Sequence, residues 1–166
     1  MILLDNFLPD HLTNHVKHFE NIKWWDGVDK SEPAHDVIEF CVDYFQLEGM
    51  CGFEYWYNVC FHGHVNSWHF DKDEEKGFKG EFVPADWSCV LYPTEHSLWG
   101  GFLEIETADE TRTEVERIAP RFNRCVILDP GVWHRVSGIW SGERHAFLIN
   151  GWVNPPTTAK LHEQNK

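Results

Sequence analysis

The chain has 166 residues, of which 42% are hydrophobic and 15% aromatic. A chain of this length is expected to form one domain with its own core, and its aromatic content excludes an intrinsically disordered protein. Its 27 acidic and 14 basic residues give a formal charge of −13, which repels nucleic-acid phosphates, so we expect no nucleic-acid partner.

The cysteines and the first residues of the chain bear on its location. The cysteine count is odd, at five, and no C-x-x-C pair occurs, so neither a disulfide framework nor a zinc ribbon is expected. We expect free, mostly buried thiols in a reducing compartment. The first residues lack the features of a secretory signal, and no apolar run reaches membrane-spanning length. These observations predict a soluble cytoplasmic protein that does not bind a membrane.

The first part of the chain, residues 1–49, is predicted to be helical. Apolar residues recur at helical spacing from Leu12 to Phe19, which predicts a first helix. A second helix is expected to begin near Ser31 as its cap, with Pro33 in its first turn.

After residue 49 the chain consists of short runs rich in Val, Ile, Tyr, Phe and Trp, separated by Gly, Pro and Asp. These are strand signals. They predict a mainly β protein with N-terminal helices and a double-stranded β-helix, or jelly-roll, core over 50–153. We interpret 1–166 as one domain, with a charged loop at 71–86 beside the functional site and a polar, frayed tail at 154–166. The predicted strands are 53–60, 66–70, 87–92, 101–106, 112–118, 122–128, 132–137 and 144–152.

A single His-x-Asp motif suggests a metal site. It is His69-Phe70-Asp71. In a strand, residues two apart point to the same face, so His69 and Asp71 can bind one ion together. Two imidazoles and one carboxylate on one face of Fe(II) leave positions open for a chelating cosubstrate and dioxygen. The third ligand should come from a distant strand, and His134 stands where a turn signal runs into a strand.

A basic residue, Arg144, follows His134 ten positions later. This spacing suits two adjacent antiparallel strands joined by a short turn at 137–142, which would bring Arg144 close to His134. A guanidinium in that place can bind a carboxylate through two hydrogen bonds. The sequence therefore predicts a carboxylate-binding group beside the metal.

Taken in order, these motifs resemble the prolyl 4-hydroxylase-like branch of the Fe(II)/2-oxoglutarate dioxygenases, over nearly the whole chain. His69-x-Asp71 is similar to the family's first two metal ligands. The stretch Asn123-Arg-Cys-Val-Ile-Leu-Asp-Pro-Gly-Val-Trp-His134 resembles the strand and turn that carry the third ligand. Gly142-Glu-Arg144 resembles the 2-oxoglutarate anchor. Two further segments resemble the family's central strands: Val90-Leu-Tyr92 and Gly100-Gly101-Phe-Leu-Glu-Ile.

The resemblance implies a catalytic Fe(II) held by His69, Asp71 and His134. It implies 2-oxoglutarate as cosubstrate, with Arg144 and the hydroxyl of Tyr92 on its far carboxylate, and ascorbate as a candidate reductant. The implied reaction hydroxylates an unactivated C–H bond while 2-oxoglutarate is decarboxylated to succinate. The implied apolar walls of the pocket are Val90, Leu103 and Val136.

One departure from the family pattern lies in the pocket. The family usually has an aromatic residue six positions after its basic anchor, where this chain has Asn150, so an altered pocket floor is expected. The substrate stays open between a peptidyl proline, another protein side chain, a free amino acid and a small metabolite. We favour a protein or peptide.

Other site types fit the sequence less well. A cupin-type site at 62–64 lacks its glutamate, since Trp68 stands in its place. Nucleic-acid repair dioxygenases carry a second arginine where Asn150 stands, and related halogenases lack the carboxylate that Asp71 supplies. A zinc hydrolase with the same triad would have no use for Arg144. A non-catalytic jelly-roll module for binding or assembly, with the metal site retained, is the alternative kept open.

Overall fold

The computed structural model of the protein describes residues 1–108 and 113–159. No helix in these two ranges is long and apolar enough to cross a membrane. The helices are α1 (Pro33–Phe45) and α2 (Glu74–Phe78). The strands are β1 (Ile2–Leu4), β2 (Lys23–Trp25), β3 (Gly52–Phe61), β4 (Trp87–Tyr92), β5 (Trp99–Gly100), β6 (Leu103–Ala108), β7 (Thr113–Ile118), β8 (Arg124–Leu128), β9 (His134–Val136), β10 (Ile139–Ser141) and β11 (Glu143–Trp152).

Two antiparallel sheets face each other. The large sheet has the strand order β1-β8-β4-β11-β3-β2 and the small one the order β7-β6-β9, while β10 and β5 form a separate ribbon. Sequence neighbours are seldom sheet neighbours, because the chain passes repeatedly from one sheet to the other, as in a jelly roll. This confirms the predicted mainly β architecture with a jelly-roll core. Apolar side chains of both sheets meet between them: Val90, Val126 and Ala146 from the large sheet, and Leu103, Ile105 and Ile118 from the small one.

Helix α1 covers the other face of the large sheet. Proline at its start is compatible with the helix, because the first amides of a helix have no intrahelical acceptor. The second predicted helix is thus confirmed, but its cap is Glu32 rather than Ser31, and the Glu32 side chain makes no capping hydrogen bond. Its buried residues, which pack on the sheet, are Ala34, His35, Val37, Ile38 and Cys41.

The first predicted helix, around Leu12, is wrong. Residues 10–15 form turns instead, in which Leu12 N donates to Pro9 O at 2.9 Å and His15 N to Leu12 O at 3.0 Å. Leu12 and Val16 are buried, as their spacing suggests, but tertiary packing rather than a helix buries them. The start of the chain instead supplies strands β1 and β2 at the two edges of the large sheet, so sheet pairing overrides the local helical pattern.

Most predicted strands are present with shifted ends, and 87–92 coincides with β4. The prediction 66–70 is wrong, because this segment contains only an isolated bridge between His69 and His134. Strand β8 begins two residues later than predicted, since Asn123 adopts a left-handed φ of 54°. Residue 112, the predicted start of β7, lies outside the described residues.

The end of the chain is better ordered than predicted as far as residue 159. We call residues 156–159 the C-terminal strap. Thr157 N and Oγ1 donate to Asp73 Oδ2 at 2.7 and 2.8 Å, and Thr158 Oγ1 donates to Glu54 Oε1 at 2.6 Å. The strap is therefore bound to the segment 71–86, which contains α2 rather than being entirely loop. The rest of the predicted tail, 160–166, lies outside the described residues.

Candidate active site

Three side chains with metal-binding atoms converge at the edge of the space between the sheets. The ligand atoms of His69, Asp71 and His134 all lie within 4.8 Å of one another. His134 Nε2 is 3.9 Å from Asp71 Oδ1, and the two imidazole centres are 4.5 Å apart. The backbone bridge explains this proximity: His69 N donates to His134 O at 3.0 Å, and His134 N donates to His69 O at 2.8 Å. The three residues singled out in the sequence thus come together without the regular strand expected for two of them.

Hydrogen bonds to main-chain carbonyls orient both imidazoles. His69 Nδ1 is 2.8 Å from the Ser67 carbonyl oxygen, and His134 Nδ1 is 2.9 Å from that of Val132. A carbonyl oxygen only accepts, so each Nδ1 carries the proton and each Nε2 keeps its lone pair for a metal. Burial also lowers the pKa of His134, and the carboxylate of Asp71 opposes this only in part. The neutral form that binds metal is therefore favoured.

Asp71 is held through its main chain and through its side chain. Its carbonyl oxygen accepts from Ala85 N at 3.1 Å. With the Asn150 amide oriented so that its nitrogen faces the surrounding acceptors, that nitrogen lies 3.1 Å from Asp71 Oδ2. Oδ1, on the other side of the carboxylate, faces His134. The sequence identified Asn150 only as a departure from the family pattern, and this contact gives it a specific place in the site.

Arg144 lies on β11 in the same interior and is 2% exposed. Its Nη2 donates to the hydroxyl of Tyr92 at 3.0 Å, while its Nε is buried without a hydrogen-bond partner among the described residues. No carboxylate within the described ranges forms an ion pair with it. A buried cation without an acidic partner is costly, so this guanidinium is suited to an anionic ligand, and a carboxylate matches its planar geometry.

The predicted hairpin between the strands of His134 and Arg144 is wrong. Strand β10 lies between them and pairs with β5, so β9 belongs to the small sheet and β11 to the large one. The two residues nevertheless face the same interior from opposite sheets, and the positive charge of Arg144 is among the groups that lower the pKa of His134.

Two glycines near Arg144 pack closely against the segment of Ser97 and Leu98, which leaves no room there for a larger side chain. A Cβ on Gly101 would lie 2.6 Å from Leu98 Cδ1 and 3.5 Å from Arg144 Cδ. A Cβ on Gly142 would lie 2.2 Å from the Ser97 carbonyl oxygen, and its φ of 79° also favours glycine. These contacts give a steric reason for Gly101 and Gly142, which belong to the motifs noted in the sequence.

The apolar residues named as pocket walls lie around this interior. Val90 and Leu103 belong to the cluster between the sheets, together with Tyr92. Val136 is buried and pairs with Leu103 across β9 and β6. All three are buried core residues, and their role as pocket walls stays a prediction.

Comparison with known proteins agrees with this geometry. The 2OG-Fe(II) oxygenase superfamily matches residues 55–154, a span that contains the three candidate ligands, Tyr92 and Arg144. Comparison with curated protein sequences gives no match.

Three solved structures illustrate the shared fold. A prolyl-4-hydroxylase from Pseudomonas putida has a TM-score of 0.65 and 19% identity over 91% of each chain. A prolyl hydroxylase from Trichoplax adhaerens, in complex with a peptide fragment of the hypoxia inducible factor oxygen degradation domain, has a TM-score of 0.56 and 15% identity over 99% of this chain and 86% of the other. A 2OG-Fe(II) oxygenase family oxidoreductase from Burkholderia pseudomallei has a TM-score of 0.51 and 14% identity over 73% of this chain and 52% of the other.

The cofactors of this family fit the residues present. A His-Asp-His donor set on one face is suited to Fe(II) with open positions. The buried guanidinium of Arg144, which has no acidic partner among the described residues, is suited to a carboxylate of 2-oxoglutarate. With 100 consecutive residues matched out of 166, the chain belongs to the 2OG-Fe(II) oxygenase superfamily.

Proposed function

We propose that the protein hydroxylates an unactivated C–H bond of a prolyl or other peptide residue, and that 2-oxoglutarate is decarboxylated to succinate in the same turnover. The buried guanidinium of Arg144 is the observation that carries the cosubstrate assignment. It faces the same interior as the candidate metal ligands and has no acidic partner among the described residues. A zinc hydrolase built on the same three ligands would not require such a group.

The candidate metal ligands would be His69 and His134 through Nε2 and Asp71 through Oδ1. When bound, Fe(II) supplies the oxygen activation that no protein side chain provides. The protein contributes the fixed imidazole orientations and one carboxylate whose direction is set by its neighbours.

Arg144 and Tyr92 would hold the far carboxylate of 2-oxoglutarate. Because the Tyr92 oxygen accepts from Arg144 Nη2, its own hydroxyl hydrogen is free to donate to that carboxylate. The apolar walls exclude water around the cosubstrate and strengthen the charged interaction. These walls, formed by Val90, Leu103 and Val136, therefore shape the pocket and keep water out of it, and they take no direct part in the reaction.

Two half-buried residues on β3 support a peptide substrate. Trp56 pairs with Leu148 and Asn58 with Ala146 across β3 and β11, and both partners pack in the cluster between the sheets. Cross-strand partners point to the same face, so Trp56 and Asn58 also face the interior. Strand β2 pairs only with residues 53–55 of β3. The part of β3 that carries Trp56 and Asn58 therefore lies at the edge of the large sheet. An indole face suits a prolyl ring, and an amide suits a peptide carbonyl.

The two prolyl hydroxylases of similar fold are a second line of support for this substrate class. Their sequence identity to this chain is too low to carry a substrate over residue by residue, so the chemistry of the pocket must be tested directly.

The test is a turnover assay with Fe(II), 2-oxoglutarate and oxygen. It compares proline-containing peptides, the same peptides with alanine in place of proline, and free amino acids. We expect succinate formation to rise with the proline peptides, and the peptide to gain one oxygen atom per succinate. Stimulation by free amino acids alone would contradict a peptide substrate. Binding of both cofactors without succinate under any condition would favour the non-catalytic module.

A further inference from the structure

We propose that Asn150 is a positioning residue of the metal centre, whose amide holds Oδ2 of Asp71 so that Oδ1 is directed at the metal. The proposal concerns metal affinity and goes beyond the proposed reaction. It requires only that His69, Asp71 and His134 bind a divalent metal, and it is independent of the organic substrate.

The surroundings of Asn150 determine which way its amide points. Its side chain is buried on β11, and three acceptor oxygens surround one end of it: Asp71 Oδ2 at 3.1 Å, Ser88 Oγ at 2.9 Å and Ile149 O at 3.2 Å. An amide oxygen in that place would face the Asp71 carboxylate and the Ile149 carbonyl, neither of which can donate, whereas the two N–H groups of the amide nitrogen can donate to these oxygens. The donor side of the amide therefore faces the carboxylate.

Strand register brings these groups together. Asn150 pairs directly with Ser88 on β4 and with Glu54 on β3. It also lies on the same face of β11 as Arg144, because the two positions are an even number of residues apart. Asp71 reaches this face from the segment after the isolated bridge, where Ala85 N fixes its main chain. Asn150 thus belongs to the rigid sheet and restrains a ligand that comes from outside it.

A neutral donor is well suited to this role. A lysine or arginine in the same place would also hold the carboxylate, but its charge would offset the negative charge that attracts the metal. An asparagine restrains one oxygen and leaves the charge on Asp71 unchanged. Restraint of the second oxygen also favours coordination through Oδ1 alone, so the remaining metal positions stay open. Outer groups that orient metal ligands commonly change metal affinity by about 10- to 100-fold when removed.

The experiment is a titration of the apoprotein with Mn(II) alone, without 2-oxoglutarate or substrate. Asn150→Leu keeps a similar side-chain volume and removes the donor, and Asn150→Ala provides a second variant with a different packing defect. Ser88→Ala is the local control, since it removes a neighbour of the amide and leaves the contact with Asp71. Melting of each metal-free protein shows whether it is folded.

We expect both Asn150 variants to bind Mn(II) about 10- to 100-fold more weakly than the parent, and Ser88→Ala to stay within about threefold of it. The visible spectrum of bound Co(II) should also change in the Asn150 variants and not in the control, because Asp71 can then turn both oxygens toward the metal. A purely structural role would lower the melting temperature and leave affinity and spectrum unchanged, which would overturn the proposal. Parent protein that binds no Mn(II) would overturn the metal centre itself, whereas failure of the turnover assay alone would leave this result standing.

Discussion

Arg144 Nη2 donates to the hydroxyl oxygen of Tyr92 at 3.0 Å, and both side chains are almost fully buried. The guanidinium carbon lies 5.0 Å from the centre of the Tyr92 ring. The two residues come from neighbouring strands of the large sheet, β11 and β4. They form a pair of donors whose positions are set by the pairing of these two strands and by burial.

Removal of the Arg144 guanidinium should weaken 2-oxoglutarate binding more than removal of the Tyr92 hydroxyl. For Arg144→Gln we expect a loss of about 2–5 kcal/mol, because a buried carboxylate loses its charged partner. For Tyr92→Phe we expect about 0.5–1.5 kcal/mol, the usual value of one hydrogen bond. Calorimetric titration of the metal-loaded protein without oxygen measures both. Arg135→Gln is the control, since Arg135 binds Glu104 instead. Equal affinity in the parent and Arg144→Gln would contradict the anchor.

Replacement of His69 should abolish stable metal binding. His69→Ala removes one of the three ligands, and two ligands on one face hold a divalent ion only weakly. The matched control is His64→Ala, because the His64 ring contacts Asn66 Oδ1 at 2.6 Å and is outside the ligand cluster. Metal content after dialysis is the measurement. Retention of stoichiometric metal by His69→Ala, or its loss from His64→Ala, would contradict the assignment.

A buried carboxylate in the small sheet should make stability depend on pH. Glu104 is 1% exposed and accepts from Arg117 Nε at 2.8 Å and Arg135 Nε at 2.7 Å. Burial raises the pKa of Glu104, but the two arginines outweigh it and the pKa is lowered overall. The stabilisation that Glu104 contributes is therefore fully present above the pKa of a glutamate in the unfolded chain. It is lost as the pH falls through the lower pKa that Glu104 has in the folded protein.

Glu104→Gln tests this relation. At neutral pH we expect the free energy of unfolding to fall by about 1–3 kcal/mol, since two arginines lose a charged acceptor. At an acidic pH below the pKa of glutamate in the unfolded chain, the difference from the parent should shrink, because protonation of Glu104 in the unfolded parent then opposes its ion pairs. Urea denaturation at both pH values is the measurement, with Glu106→Gln on the same strand as the control. An equal loss of unfolding free energy in Glu104→Gln at both pH values would contradict the role of the Glu104 charge.

The C-terminal strap should depend on Asp73. This buried carboxylate accepts from Thr157 N, Thr157 Oγ1 and Lys76 N. We expect Asp73→Ala to cost about 2–4 kcal/mol, since three donors lose their acceptor, and Thr157→Val to cost about 1 kcal/mol. Hydrogen exchange should accelerate at Thr157 and at Lys76 in Asp73→Ala. Unchanged exchange at Thr157 would show that other contacts hold the strap.

The sequence was informative where chemistry depends on local spacing. His69 and Asp71 are two residues apart and point the same way even without a regular strand. Tyr92, Arg144 and the glycines before Arg144 were identified from short motifs, and the structure places them together. Helix α1 was also predictable, because a proline near its start and one apolar face are local features.

The sequence was less informative where structure depends on distant pairing. Arg144 and His134 face each other across two sheets rather than along one hairpin, and sheet membership is not a local property. Leu12 and Val16 are buried without a helix, because the sheet edges dictate the path of the first residues. The polar strap is ordered by two buried carboxylates far away in sequence. The contact of Asn150 with Asp71 likewise depends on register, which no single segment reveals.

The most direct test of the central claim is the visible absorption of the protein with Fe(II) and 2-oxoglutarate in the absence of oxygen. Chelation of the oxo acid to iron in such a site gives a weak charge-transfer band that neither component shows alone. We predict that the band forms in the parent and is lost in both Asp71→Ala and Arg144→Ala. If the parent binds iron and no band forms, or if the band survives in Arg144→Ala, the assignment of 2-oxoglutarate to this site is wrong.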